Sequence, residues 1–346
     1  MYKVCFDTES SFVPPDLVAR FEGHCSVLHR TMIALLRQRR IRGFSARMVL
    51  TNDIASAVRR ECPPSDEDPR DFTADRLAGT VSAKTLFPKA DSEPYTIIES
   101  DEAWAQEGDD ALARGLSSLS HELGHCAIDC CRRASVSTPP AEDLTAGESA
   151  AREIAFDALD EYRADSIEDA ILRVIGTAGE GDGAVPLGLH HLVGSGFTDK
   201  LRDVLSQEVY PGWPDRVQAY RERQVTLEDM WLGLGRSGWE TFVLIAHAAA
   251  AARAAGDPDP TTAGEFADHP AVSLYLRRPW KCLLDIAESA SPLCTPAALA
   301  KMDARASKEA VDALLNMWGE LGLTFTLRRG GLQHIQVRAP VRLPDS

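Results

Sequence analysis

The sequence predicts an α+β chain, with a small sheet packed on one long helix and a mostly α-helical C-terminal half. Three observations lead there. Short apolar runs with strand-like alternation gather early, at Phe44–Thr51, Val81–Phe87 and Tyr95–Ser100. Two long helical patterns follow, one from Asp109 or Asp110 to Arg133 and one from Glu148 to Ile175. Past the glycine-rich break at Gly176-Thr-Ala-Gly-Glu-Gly-Asp-Gly183, the patterns are mostly helical. This organisation implies one domain over residues 1–178 and a second over 179–346, the latter ending in a β-hairpin.

Taken in order, residues 14–42 read as a helix opening at Pro14-Pro15-Asp16 and carrying Leu17, Val18, Phe21, Val27, Leu28, Met32, Ile33 and Leu36. His24, Cys25 and His29 lie on it, but two histidines five residues apart share a face poorly. Pro63–Arg70 is an acidic, proline-broken loop. The run at Tyr95–Ser100 immediately precedes the first long helix, and residues 94–100 are the candidate edge strand for pairing with an extended peptide. Ala134–Gly147 is a polar loop. Later helices are expected over 198–208, 214–255 with a break near Gly233–Gly238, and 295–321, with Asp257–Thr262 as a loop. Residues 323–338 read as a hairpin turning at Gly330-Gly331.

Composition narrows the class of partner. A formal charge of −15 argues against a nucleic-acid or anionic-membrane surface as the main partner. The basic run Arg37, Arg39, Arg40, Arg42 reads as a solvated helix end. No stretch approaches the ~20 apolar residues of a membrane span, and the first residues lack the pattern of a secretory signal. Eight cysteines in such a chain are expected to be reduced thiols, and the expected compartment is cytoplasmic. Cys126 and Cys130 fall toward the apolar side of their helix, as small buried residues.

The chemistry concentrates in Leu116–Asp129, which contains His121-Glu122-Leu123-Gly124-His125. Histidines four apart on a helix share a face, about 6 Å apart along the axis, and suit two imidazoles converging on one metal ion. The intervening Glu122 is placed to handle a metal-activated water. Leu112, Leu116, Leu119, Leu123 and Ala127 form the core-facing stripe, and both histidines point to nearly the opposite side. A catalytic zinc site needs a third protein ligand and one open position. On the second long helix Ile154, Ala158, Glu161 and Asp165 follow one track, so a carboxylate pair interrupts an inward-facing row. Glu161 is the candidate third ligand, while Glu153, Asp157 and Asp160 are expected to face solvent.

On these residues the chain resembles the zincin metallopeptidases, in particular the gluzincin branch whose third ligand is a glutamate on a later helix. Glu161-Tyr-Arg-Ala164-Asp165 is similar to the E-x-x-A-D pattern of CaaX prenyl protease-like enzymes, and His-Glu-Leu-Gly-His is similar to ImmA/IrrE-like peptidases. The resemblance covers about residues 94–175. It implies a zincin-like sheet on the metal helix, zinc held by His121, His125 and Glu161, and Glu122 as general base. It further implies that Asp165 fixes the tautomer of a ligand histidine.

The expected activity is hydrolysis of peptide or amide bonds, with a peptide, a protein or a small amide-containing molecule as substrate. Zinc would bring the pKa of a water toward ~7 and polarise the carbonyl, and Glu122 would carry the proton to the leaving amine. A donor for the developing oxyanion is also needed. His190, His191, Tyr210 and Tyr220 are candidates, with His191 preferred, while His247 in an alanine-rich apolar run reads as core. Two other readings remain: a related site acting on a small non-peptide substrate, and a non-catalytic regulatory or binding protein with a structural metal.

Overall fold

A computed structural model describes residues 2–6, 15–41, 44–61, 75–76, 79–80, 83–89, 93–105, 109–135, 144–178, 189–327 and 333–340. The chain begins with β1 (Tyr2–Phe6), α1 (Pro15–Gln38), β2 (Ala46–Thr51) and α2 (Ile54–Glu61). The short strands β3 (Asp75–Arg76) and β4 (Gly79–Thr80) precede β5 (Ala83–Leu86), β6 (Tyr95–Ser100) and α3 (Glu102–Ala105). Two long helices come next, α4 (Asp109–Arg133) and α5 (Ala146–Ala178), then α6 (Leu189–Asp203), α7 (Gly212–Arg221) and α8 (Leu227–Ala255). The chain ends with α9 (Arg277–Ala287), α10 (Pro296–Arg305), α11 (Val311–Glu320) and the hairpin β7 (Leu323–Leu327) and β8 (Gln333–Val337). The fold class is α+β, and no described helix is long and apolar enough to cross a membrane.

Two compact units are present. The first comprises residues 1–135, 163–192 and 292–296. Its sheet runs β1-β2-β6-β5, with β1, β2 and β6 parallel and β5 antiparallel to β6. Side-chain alternation along β6 sorts the two faces. Ile98 joins Val49 and the α2 residues Ile54, Ala57 and Val58 in one apolar cluster. Tyr95 and Glu99 turn the other way, toward α4: the Tyr95 hydroxyl donates to Asp129 at 2.8 Å, and Ser118 donates to Glu99 at 3.3 Å. α1 covers the same face as α4, and its Phe21 meets Trp104 of α3 edge-on at 5.1 Å.

Tyr95–Ser100 is an interior strand, not an edge: it pairs with β2 on one side and β5 on the other. Its adjacent Ile97 and Ile98 are both fully buried, as a strand covered on both faces requires. The edge beside α4 is β5, where Thr85 donates to the Glu122 backbone carbonyl at 3.2 Å. The expected acidic loop at 63–70 and the turn at Gly330-Gly331 lie outside the described residues.

The second unit comprises residues 136–162, 193–291 and 297–346. α8 is continuous through Gly233, Gly235 and Gly238, so the expected break is not there. Gly238 is small for packing, since a Cβ on it would sit 3.0 Å from the Trp318 ring. The interruption comes earlier, between α7 and α8, where Arg223 takes φ 62° and Thr226 caps α8 by accepting from the Asp229 amide at 3.0 Å. Trp318 meets Trp213 at 6.0 Å and Trp231 at 5.4 Å, giving this unit an aromatic core.

Asp157 departs from the solvent-facing expectation, because α8 presents Trp239, whose indole N–H donates to it at 2.6 Å. Burial pushes the Asp157 carboxyl up to about 6 from an ordinary 3.8. A raised acid contributes stability below its unfolded pKa and loses it as pH rises through the folded value. Asp157→Asn keeps an acceptor for Trp239 and removes the titration. Urea unfolding should show no gain for this variant near pH 3.8, a gain growing through pH 6, and a plateau of about 1–3 kcal/mol above pH 7.

Candidate metal centre

The centre is built on the facing sides of α4 and α5. α4 buries Leu116, Leu119, Leu123 and Ala127 at 3% exposure or less, and this fixes its rotation. His121 and His125 then stand on the far side, partly exposed, with Glu122 buried between the two faces. The two Nε2 atoms face each other at 3.0 Å, with the rings nearly perpendicular at 80°.

α5 approaches closely because both helices are small where they touch. A Cβ on Gly124 would lie 2.9 Å from both the Cα and the carbonyl oxygen of Ala164. That contact explains the glycine of His-Glu-Leu-Gly-His and the alanine of Glu161-Tyr-Arg-Ala-Asp together. With the axes so near, α5 directs a row of carboxylates at α4. Asp165 Oδ1 lies 2.7 Å from His121 Nδ1, and Glu168 Oε2 lies 3.7 Å from the same nitrogen. Ser117, one turn before His121, donates its hydroxyl to Glu168 Oε1. Glu161 stands one turn before Asp165 on the same unbroken helix. One ligand atom from each of His121, His125 and Glu161 falls within 4.8 Å of the others.

The electrostatics follow from burial. A carboxylate only accepts, so the contact with Asp165 keeps the His121 proton on Nδ1 and leaves a lone pair on Nε2. Burial drives the Glu168 carboxyl above the ordinary range, against the pull of His121. Glu99 is fully buried on β6, where it accepts from the Trp104 indole at 3.4 Å and from Ser118 at 3.3 Å. Its carboxyl is raised well above the usual range, by burial first and by the nearby Glu122 charge second.

Among the sequence candidates, His121, His125, Glu161 and Asp165 come together, with Glu122 beside them on α4. The side chains of His190 and His191 lie outside the described residues. Tyr210 and Tyr220 belong to the second unit. Cys126 is fully buried near Thr85, and among the described residues no cysteine joins a group able to hold a metal.

Sequence reasoning missed three residues. Glu168 extends the Glu161–Asp165 row by one step of three. Glu99 shares its strand face with Tyr95 and Ile97, and a carboxylate there was the available signal. His247, read as core, has its Nε2 3.7 Å from Glu161 Oε2, and its ring stacks on Phe197 at 4.8 Å and 10°. It is the one position of 241–250 that is not fully buried.

Comparisons of the chain with family models, with curated proteins and with solved structures find no match.

The helix contact yields a direct test. Gly124→Ala places a methyl against backbone that cannot yield without parting α4 from α5. Chemical denaturation should show a loss of about 1–3 kcal/mol, and metal affinity should fall with it. An unchanged midpoint with unchanged affinity would show that the contact does not set the spacing.

Proposed function

We propose that the chain is a zinc-dependent hydrolase of peptide or amide bonds, of the gluzincin type. The observation that carries this reading is the pair of imidazole Nε2 atoms 3.0 Å apart, with the Glu161 carboxylate within 4.8 Å of them. Metal–nitrogen bonds of about 2.0–2.1 Å at tetrahedral angles put two ligand nitrogens roughly 3.3 Å apart, so the donor set fits such an ion. Two nitrogens and one carboxylate oxygen are also the ligand types of catalytic zinc sites that keep a position open.

His121, His125 and Glu161 would hold the ion, and Asp165 supports the reading by fixing the His121 tautomer at 2.7 Å. A bound zinc supplies Lewis acidity, which makes a water acidic near neutral pH and polarises the scissile carbonyl. Glu122 would be the general base, accepting a proton from the attacking water and returning it to the leaving amine. His247 Nε2 lies 3.7 Å from Glu161 Oε2 with its ring stacked on Phe197, and it would orient that carboxylate. The outer edge of β5, tied to α4 through Thr85, offers backbone groups to an extended substrate.

Glu122→Gln separates binding from turnover. The variant should retain about one zinc per chain by elemental analysis and lose about 10²–10⁴-fold in cleavage of a peptide library. His125→Ala and Glu161→Gln should lose the metal itself. Wild-type protein without stoichiometric zinc, or a fully active Glu122→Gln, would sink the assignment.

A further inference from the structure

The contact of α4 and α5 has a rung beyond those a three-ligand centre needs. Asp165 already holds His121 Nδ1 at 2.7 Å. Glu168, only 2% exposed, brings Oε2 to 3.7 Å from the same nitrogen while its other oxygen accepts from Ser117. A buried carboxylate held by a hydroxyl donor is a costly way to fill space, and an apolar side chain of similar volume would do so more cheaply. Its placement supplies a reason. Ser117 and His121 are successive turns of α4, and Asp165 and Glu168 are successive turns of α5, so the four side chains interlock.

We propose that Glu168, held by Ser117, is a positioning residue for the metal centre. It fixes which way the His121 ring faces. Asp165 and Glu168 put acceptor oxygens on the Nδ1 side of that ring, so a flipped ring would turn a C–H toward both carboxylates. At 3.7 Å Glu168 is beyond hydrogen-bond range, and its electronegative oxygen faces the ring N–H beside the direct bond to Asp165. The inference rests on the reading of His121 as a metal ligand, and it needs no turnover.

The test is Co²⁺ titration of the full-length metal-free chain, followed by the visible absorption of the bound ion. Wild type, Glu168→Gln, Glu168→Asp, Ser117→Ala and, as a control, Asp165→Asn are compared, and thermal unfolding of each metal-free variant reports its folding. Glu168→Gln should bind Co²⁺ about ten- to a hundredfold more weakly and with displaced absorption bands. Glu168→Asp should recover part of the affinity, and Ser117→Ala should shift the bands in the same direction as Glu168→Gln. If Glu168→Gln does not fold, Ser117→Ala and Glu168→Asp carry the test. Wild-type affinity and spectrum in the folded Glu168 and Ser117 variants, with Asp165→Asn impaired, would overturn the role of Glu168 and leave the metal centre standing. A wild-type chain that takes up no Co²⁺ would overturn both.

Discussion

The closeness of two helices is the constraint on which the centre depends. Gly124 and Ala164 let the α4 and α5 backbones approach until a single added methyl would collide with main-chain atoms. Only at that separation can short side chains such as Asp165 and Ser117 span the gap. Leucines on the opposite side of α4 are buried, so the rotation that hides them also presents the imidazoles. Packing and chemistry are thus set by one rotation angle.

Much of this was legible in the residues. The limits of α4 and the body of α5 follow from their apolar spacing, and the facing of His121 and His125 follows from the leucine stripe. The row Glu161–Asp165 was readable for the same reason, because helical periodicity is local information. Strand order is not local. Nothing in Tyr95–Ser100 says that β5 would lie outside it, and only the pairing with both β2 and β5 makes it interior. β1 is five residues long and α2 eight, too short for periodicity to declare them. The α8 glycines misled in an instructive way, since Gly238 is small to admit an indole rather than to end a helix.

Residues whose role depends on a distant element were the hardest to place. His247 sits in a run of alanines and apolar residues, and its neighbour Glu161 comes from a helix more than eighty positions earlier. Asp157 looked like one more acid on an acidic helix until Trp239 supplied a donor. Glu99 is the reverse case, a carboxylate in an apolar strand that local inspection could have singled out.

The antiparallel interlock of α4 and α5 constrains how these two segments can change. Substitution tests one contact at a time, but a residue gained or lost within either helix rotates everything beyond it by about 100°. Such a slip would turn Ser117, His121 and His125 away from their partners as a group, where no point change could restore them. Length is therefore the property these two helices can least afford to vary, even where individual side chains tolerate exchange.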